Sequence, residues 1–208
     1  LSGFGSNSPW SSRPGYDLIV QALGGGLSLN GNKGELPVHI PFHLGDTAAG
    51  LYSVISILSA VIHANKTGKG KSFEVSMLDA QLHLLSDEIT FFSTGKWPAK
   101  PHGSGHPALA PYSIFRTKDK PIVIAAVGTE KFWVNLTEVL NIPEFINNPK
   151  FVDNTSRVKN MEEMTSLIQD QLMKERASFW IKVFQDNDVP AAIVSTVNDV
   201  LNCEHTKH

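Results

Sequence analysis

PFHLGDTAAGLYSVISILSAVIHA, residues 41–64, places a glycine and an aspartate where a proline-bearing loop runs into a long apolar stretch. A helix that starts there leaves its first N–H groups without intrahelical partners, and those groups can present the Asp46 carboxylate while the helix lies buried behind it. Two readings follow. Asp46 is either a helix cap, the ordinary use of Asp before an apolar run, or a nucleophile mounted at a helix start. Residues 51–64 are too few to span a bilayer and carry Tyr52, Ser53, Ser56, Ser59 and His63, so a buried core helix is predicted.

Upstream, SRPGYDLIVQALGGGLSLNG (12–31) sets Arg13, Tyr16 and Asp17 at the entry to a short helical pattern that ends in Gly24, Gly25 and Gly26. Downstream, NKTGKGKSFEVSMLDAQLHLL (65–85) reads as a basic, glycine-rich turn, a strand of alternating character and a second amphipathic helix. Together with PYSIFRTKD (111–119), these segments resemble the family III coenzyme A transferases, a group that includes formyl-CoA transferase, carnitine-CoA transferase and α-methylacyl-CoA racemase. RPGYD, the glycine and aspartate at 45 and 46 with Gly50 beyond, TGKG, SMLDAQ and PYSIFRTKD occur in the family's order, from SGFG at residue 2 to VPAAIVSTVNDVL at 189–201. Tyr16 precedes Asp46 by 30 residues, the family's interval between a CoA-contacting segment and its nucleophile.

The resemblance implies an α/β fold: the end of a Rossmann-like large domain followed by a smaller α/β domain, in an interlocked homodimer when complete. It implies the end of the CoA-binding domain over 1–90 with the nucleophile, a Gly/Pro linker and possible active-site loop over 91–110, and the small domain over 111–208. The chain opens at Leu1 in a strand-to-loop phrase and reads as a piece of a longer protein, lacking N-terminal and C-terminal parts. In the second half, PYSIFRT and PIVIAAV flank the polar turn Lys118-Asp119-Lys120 and predict a β-hairpin. Helical faces follow in TEKFWVNLTEVLN, NMEEMTSLIQDQLMKE and ASFWIKVFQDND, with Thr129, Asn160 and Ser178 as candidate caps. Phe132, Trp133, Leu136, Val139 and Leu140 form a core face at helical spacing.

The chemistry implied is CoA transfer between carboxylic acids, with Asp46 as nucleophile through aspartyl anhydride and aspartyl-CoA thioester intermediates. Acyl-CoA and a small carboxylic acid are the implied substrates, with no permanently bound cofactor. Arg13, Gly15, Tyr16 and Asp17 are the implied CoA contacts, although RPGYD also reads as a turn and helix start with Asp17 as its cap. Gly103 and Gly105, in HGSGHPALAP, hold the place of the family's mobile active-site loop, or of a plain linker. Racemases of the group carry a histidine where Tyr16 stands. A phenol, with an ordinary pKa near about 10, is a poor general base at neutral pH, which favours transferase over racemase. A catalytically incomplete fragment is the third reading.

Composition agrees and adds little. The 208 residues, 41% hydrophobic and 18% charged, suit a globular protein with a core, and a net charge of −2 offers no general basic field for nucleic acid. The single Cys203 allows no intrachain disulfide. No signal or transit segment is legible, and a soluble protein of cytoplasm or mitochondria, without membrane partners, is the expectation. GKGKS (68–72) lacks the first glycine of a phosphate-binding loop, having Asn65 there, and SGFGSNS has Ser8 in place of the third glycine of a dinucleotide fingerprint. His39 with His43, and His102 with His106, are four apart, but Pro41 and Pro107 break both stretches and no third metal ligand is evident.

Overall fold

Helical periodicity dominates the first hundred residues, and among the described residues five helices form there: α1 (Asp17–Leu23), α2 (Gly26–Leu29), α3 (Leu44–Thr67), α4 (Met77–Leu84) and α5 (Ser86–Ser93). The computed structural model describes residues 1–96 and 99–208 and divides into two units, Leu1–Gly103 and Ser104–His208. Trp97 and Pro98, within the expected 91–110 linker, lie outside the described residues.

In the first unit α1, α3 and α4 pack on one another around Phe4, Val20, Met77 and the small side chains of Ala48, Ala49 and Ala80. Ser76 caps α4 by accepting the Asp79 N–H at 3.2 Å. The strand expected before α4 does not form. Residues 71–75 run without strand pairing, and Ser76 alone makes a parallel bridge, to Ser2. Alternating side chains suffice for a strand only where a neighbouring strand supplies the ladder, and here the neighbour is the short segment at Ser2.

The expectation of a buried core helix over 51–64 is also corrected. The helix is 24 residues long, because the loop residues 44–50 and the turn at 65–67 join it, yet its buried residues are Gly45, Ala48 and Ala49 at the N-terminal end. Leu51, Val54, Ile55, Ile57, Leu58, Val61 and Ile62 are exposed, while on another face Tyr52 meets His83 of α4 with ring centres 5.2 Å apart. By length and composition α3 is able to cross a membrane.

The second unit carries the sheet. Strands β1 (Tyr112–Phe115), β2 (Ile122–Ala125) and β3 (Ala191–Ile193) form an antiparallel sheet in the order β1-β2-β3. The predicted hairpin is present, with Tyr112 opposite Ala125 and Phe115 opposite Ile122. Around it lie α6 (Glu130–Val139), α7 (Asn154–Lys159), α8 (Met161–Leu172), α9 (Ala177–Asp186), α10 (Val197–Asn202) and α11 (Glu204–Lys207). Phe115, Ile122 and Ile124 meet Trp133, Leu136, Leu140, Phe151, Ile168, Leu172 and Phe184 in one core, each large side chain contributing about 1.5–3 kcal/mol on burial. The predicted apolar face of α6 is this core's contact, with Trp133, Leu136 and Leu140 buried and Phe132 and Val139 packed at its margin.

Of the candidate caps, Thr129 caps α6, accepting the Lys131 N–H at 3.4 Å. Asn160 stands at the N-cap of α8 without a side-chain capping bond, its Nδ2 donating instead to Ser156 O and Lys150 O, and Ser178 lies inside α9, whose N-cap is Arg176. The cap of α9 comes from the hairpin turn, where Asp119 Oδ1 accepts the Ala177 N–H at 2.8 Å. Arg157, invisible as a core residue in the sequence, is buried. Its guanidinium donates to Ala110 O at 2.9 Å, Phe151 O at 3.0 Å and both Glu130 oxygens, and lies 4.9 Å from the Trp133 ring centre.

Candidate active site

Asp46 is the third residue of α3, and its side chain is exposed. The residue before the helix, His43, provides no side-chain cap, which would leave the first-turn N–H groups bare. A carboxylate from another helix takes them. Asp17 Oδ1 accepts the Gly45 N–H at 2.7 Å and the Asp46 N–H at 3.4 Å, while Oδ2 accepts Gln21 Nε2 at 2.6 Å. Asp17 is 7% exposed and Gln21 fully buried. Gly45 admits this approach: a Cβ there would stand 3.2 Å from Asp17 Oδ1 and 3.4 Å from Val20 Cγ1. The Asp46 carboxylate itself accepts no hydrogen bond from the described residues.

The sequence singled out Asp17 and Asp46 separately, and the fold joins them. Tyr16 is the N-cap residue of α1, extended at φ −83° and ψ 155°, and is 77% exposed. Its place beside Asp17 in the chain sets it near the same helix start. Gly15 makes its close approach to another glycine: a Cβ on it would fall 2.7 Å from Gly3 Cα and 3.3 Å from the Phe4 ring. Arg13 lies over Trp10, 4.9 Å from the ring centre, and Trp10 meets Phe4 edge-on at 5.7 Å. SGFG and RPGYD are thus packed against each other by two glycines and a stack of side chains.

Gly103 has φ 62° and donates its N–H to Gly31 O at 3.0 Å, which ties that end of the glycine-bearing loop to the turn after α2. Gly105 lies two residues on, in the second unit, where Ser113 Oγ donates to Ser104 O at 3.0 Å. Among the described residues no three His, Cys, Asp or Glu side chains converge as a metal-binding set.

Two features near this site carried no sequence signal. Glu74 binds the loop at residues 2–6, accepting from the Ser6 N–H and the Ser2 and Ser6 hydroxyls. These bonds pull its carboxyl from the usual 4.5 to about 2, the Ser6 hydroxyl and N–H first, then Ser2. Gln81, fully buried on α4, has neither side-chain polar atom paired, and its Oε1 stands 3.7 Å from where a Gly45 Cβ would be. Only packing distances reveal either, because Glu and Gln in amphipathic segments ordinarily face water.

A family model described as CoA-transferase family III matches residues 1–208. The chain belongs to CoA-transferase family III. It is 31% identical to human succinyl-CoA:glutarate CoA-transferase over 200 residues, 96% of this chain and 45% of that protein. It is 33% identical to acetyl-CoA:oxalate CoA-transferase of Acetobacter aceti, over 99% of this chain and 53% of that one. The crystal structure of a CAIB/BAIF family protein from Brucella suis superposes with a TM-score of 0.85 at 31% identity, covering 99% of this chain and 54% of the other. The chain therefore spans about half the length of the relatives it matches, and its mixed α/β fold is the one expected of this family.

Proposed function

We propose that the protein containing this chain is a CoA-transferase that moves coenzyme A from an acyl-CoA to a small carboxylic acid, with Asp46 as the nucleophile. The observation that carries the reading is an exposed carboxylate without a hydrogen-bond partner, on a helix start whose backbone is held by buried Asp17. The family's curated relatives are named for CoA transfer between acids such as succinate and glutarate, or acetate and oxalate.

An Asp46 oxygen attacks the thioester carbonyl, the C–S bond breaks, and CoA leaves as thiolate with an acyl-aspartyl anhydride behind it. The thiolate attacks the aspartyl carbonyl, releasing the donor acid and leaving an aspartyl-CoA thioester. The acceptor carboxylate then attacks that thioester, and the returning thiolate takes the new acyl group and frees Asp46. Charge is balanced at each step by thiolate and carboxylate alone, so the reaction requires no metal or redox group. Each oxyanion gains about 3 kcal/mol from a fixed N–H donor. We assign Tyr16, exposed at the N-cap of α1 beside Asp17, to CoA contact, with Arg13 and Gly15 in its loop. Gly103 and Gly105 belong to the segment we assign to the covering loop. A homodimer is the assembly this reading carries.

The test uses the protein expressed from its complete reading frame. Incubation with an acyl-CoA and hydroxylamine should convert Asp46 to a hydroxamate, located by peptide mass, and Asp46→Ala should reduce CoA exchange by at least about a thousandfold. Normal exchange by Asp46→Ala would overturn the mechanism. Rapid α-proton exchange of an acyl-CoA in deuterated water would instead favour a racemase.

A further inference from the structure

An aspartate at the third position of a helix can turn its carboxylate back onto the N-cap N–H, as Asp199 does in α10, accepting the Thr196 N–H at 2.9 Å. Such a carboxylate has its lone pairs occupied and its side chain folded against the backbone. Asp46 stands at that position in α3, yet its side chain is free. Here a carboxylate from another helix serves the first turn instead: Asp17 Oδ1 accepts the Gly45 N–H at 2.7 Å and the Asp46 N–H at 3.4 Å.

We infer that Asp17 is a positioning residue: its buried carboxylate caps α3 from outside, fixes the Asp46 backbone to α1, and leaves the Asp46 side chain unbonded for attack. The inference rests on Asp46 being the nucleophile. Asp17 is unsuited to direct contact with CoA, being 7% exposed with both oxygens already accepting hydrogen bonds. Gln21, fully buried one turn along α1, anchors it through Oδ2 at 2.6 Å. Gly45 supplies the opening through which the carboxylate reaches, and Val20 closes the other side. The cap thereby spans 28 residues of sequence and makes the Tyr16 segment and the nucleophile one rigid piece.

The test is made on the full-length enzyme with Asp17→Ala, Asp17→Asn and Gln21→Met beside Asp46→Ala. Asp17→Ala is expected to lower kcat about a hundredfold, the loss typical of a small misplacement of a reacting group, with KM for acyl-CoA within about threefold of normal. Hydroxamate formation at Asp46 should fall in step with kcat. Asp17→Asn keeps an oxygen for the Gly45 N–H and should restore kcat to within about tenfold of the parent enzyme. Gln21→Met, which preserves volume and removes the anchor, should lower kcat about fivefold at unchanged KM, and it carries the reading if Asp17→Ala does not fold.

Three results would overturn the inference: kcat within about threefold of normal in Asp17→Ala, or in its place a normal kcat in Gln21→Met; a raised KM at unchanged kcat, which would make Asp17 a CoA contact; or Asp17→Asn as damaged as Asp17→Ala. An active Asp46→Ala would instead overturn the nucleophile itself, so the two failures are distinct.

Discussion

At the scale of single residues, the loop beside the candidate nucleophile is shaped by an absence of side chain. Gly3 and Gly15 cross so closely that a Cβ on either would stand 2.7–2.8 Å from the other's Cα, and the obstacle is backbone, which has no rotamer to change. Gly15→Ala must therefore push RPGYD off SGFG and carry Tyr16 and Asp17 with it. The expected cost is about 1–3 kcal/mol, typical of forced overpacking, measured by urea unfolding of the full-length protein, together with a raised KM for acyl-CoA. Gly3→Ala should cost a similar amount, and the double variant less than the two together, since either substitution alone already separates the segments. Strictly additive losses would show that the crossing does not hold the loop.

At the scale of elements, two helices take their caps from carboxylates remote in sequence. α3 is capped by Asp17 and α9 by Asp119, while the residues at their own N-cap positions, His43 and Arg176, provide none. The Ala177 N–H is the largest cause holding the Asp119 carboxyl below its usual range, with the Lys120 N–H and the Thr117 hydroxyl adding to it. A carboxylate depressed on folding contributes stability that is fully present above its ordinary pKa of 3.8 and is lost as pH falls through the lower folded value. Asp119→Asn should therefore lower the melting temperature of the second unit at pH 7, with the gap to the parent closing as pH falls below 3.8 and through the lower folded value. Thermal melts across pH 2–7 check this, and a gap independent of pH would sink it.

These caps also mark where sequence reading stops. Thr129 was legible because a local cap is written beside its helix, and the β1–β2 hairpin because its turn and both strands are contiguous. Asp17 and Asp46 were legible as residues through their motifs, but their connection was not, since no local rule pairs positions 28 or 29 apart. Ser178 was misplaced because the cap it was expected to supply comes from the hairpin turn. Arg157 was missed because an arginine on a short helix ordinarily points to water, and its burial depends on partners remote in sequence, the carbonyls of Ala110 and Phe151 and the Glu130 carboxylate.

At the scale of the whole molecule, the two units are unequally consolidated. The second encloses aromatic and aliphatic side chains from its sheet and from α6, α8 and α9 in one core, while the first has Phe4, Val20 and Met77 among alanines. α3 shows the contrast most sharply: Leu51, Ile55, Leu58 and Ile62 are exposed, and Leu51 and Ile55 line an open apolar hollow of about 480 Å³. Helix length does not compensate, because most helical stability in water comes from burying a face against a partner. Local opening follows burial, so this 208-residue chain in solution should exchange the amide hydrogens of residues 51–62 faster than those of α6, α8 and β2. Hydrogen exchange read by peptide mass tests this directly. The slowest amides should cluster at Ile122, Ile124, Leu136 and Ile168 and share a common rate, that of unfolding the second unit as a whole. Protection over 51–62 equal to that of α8 would mean that the outward face of α3 is covered in solution and that the two units are not unequally consolidated.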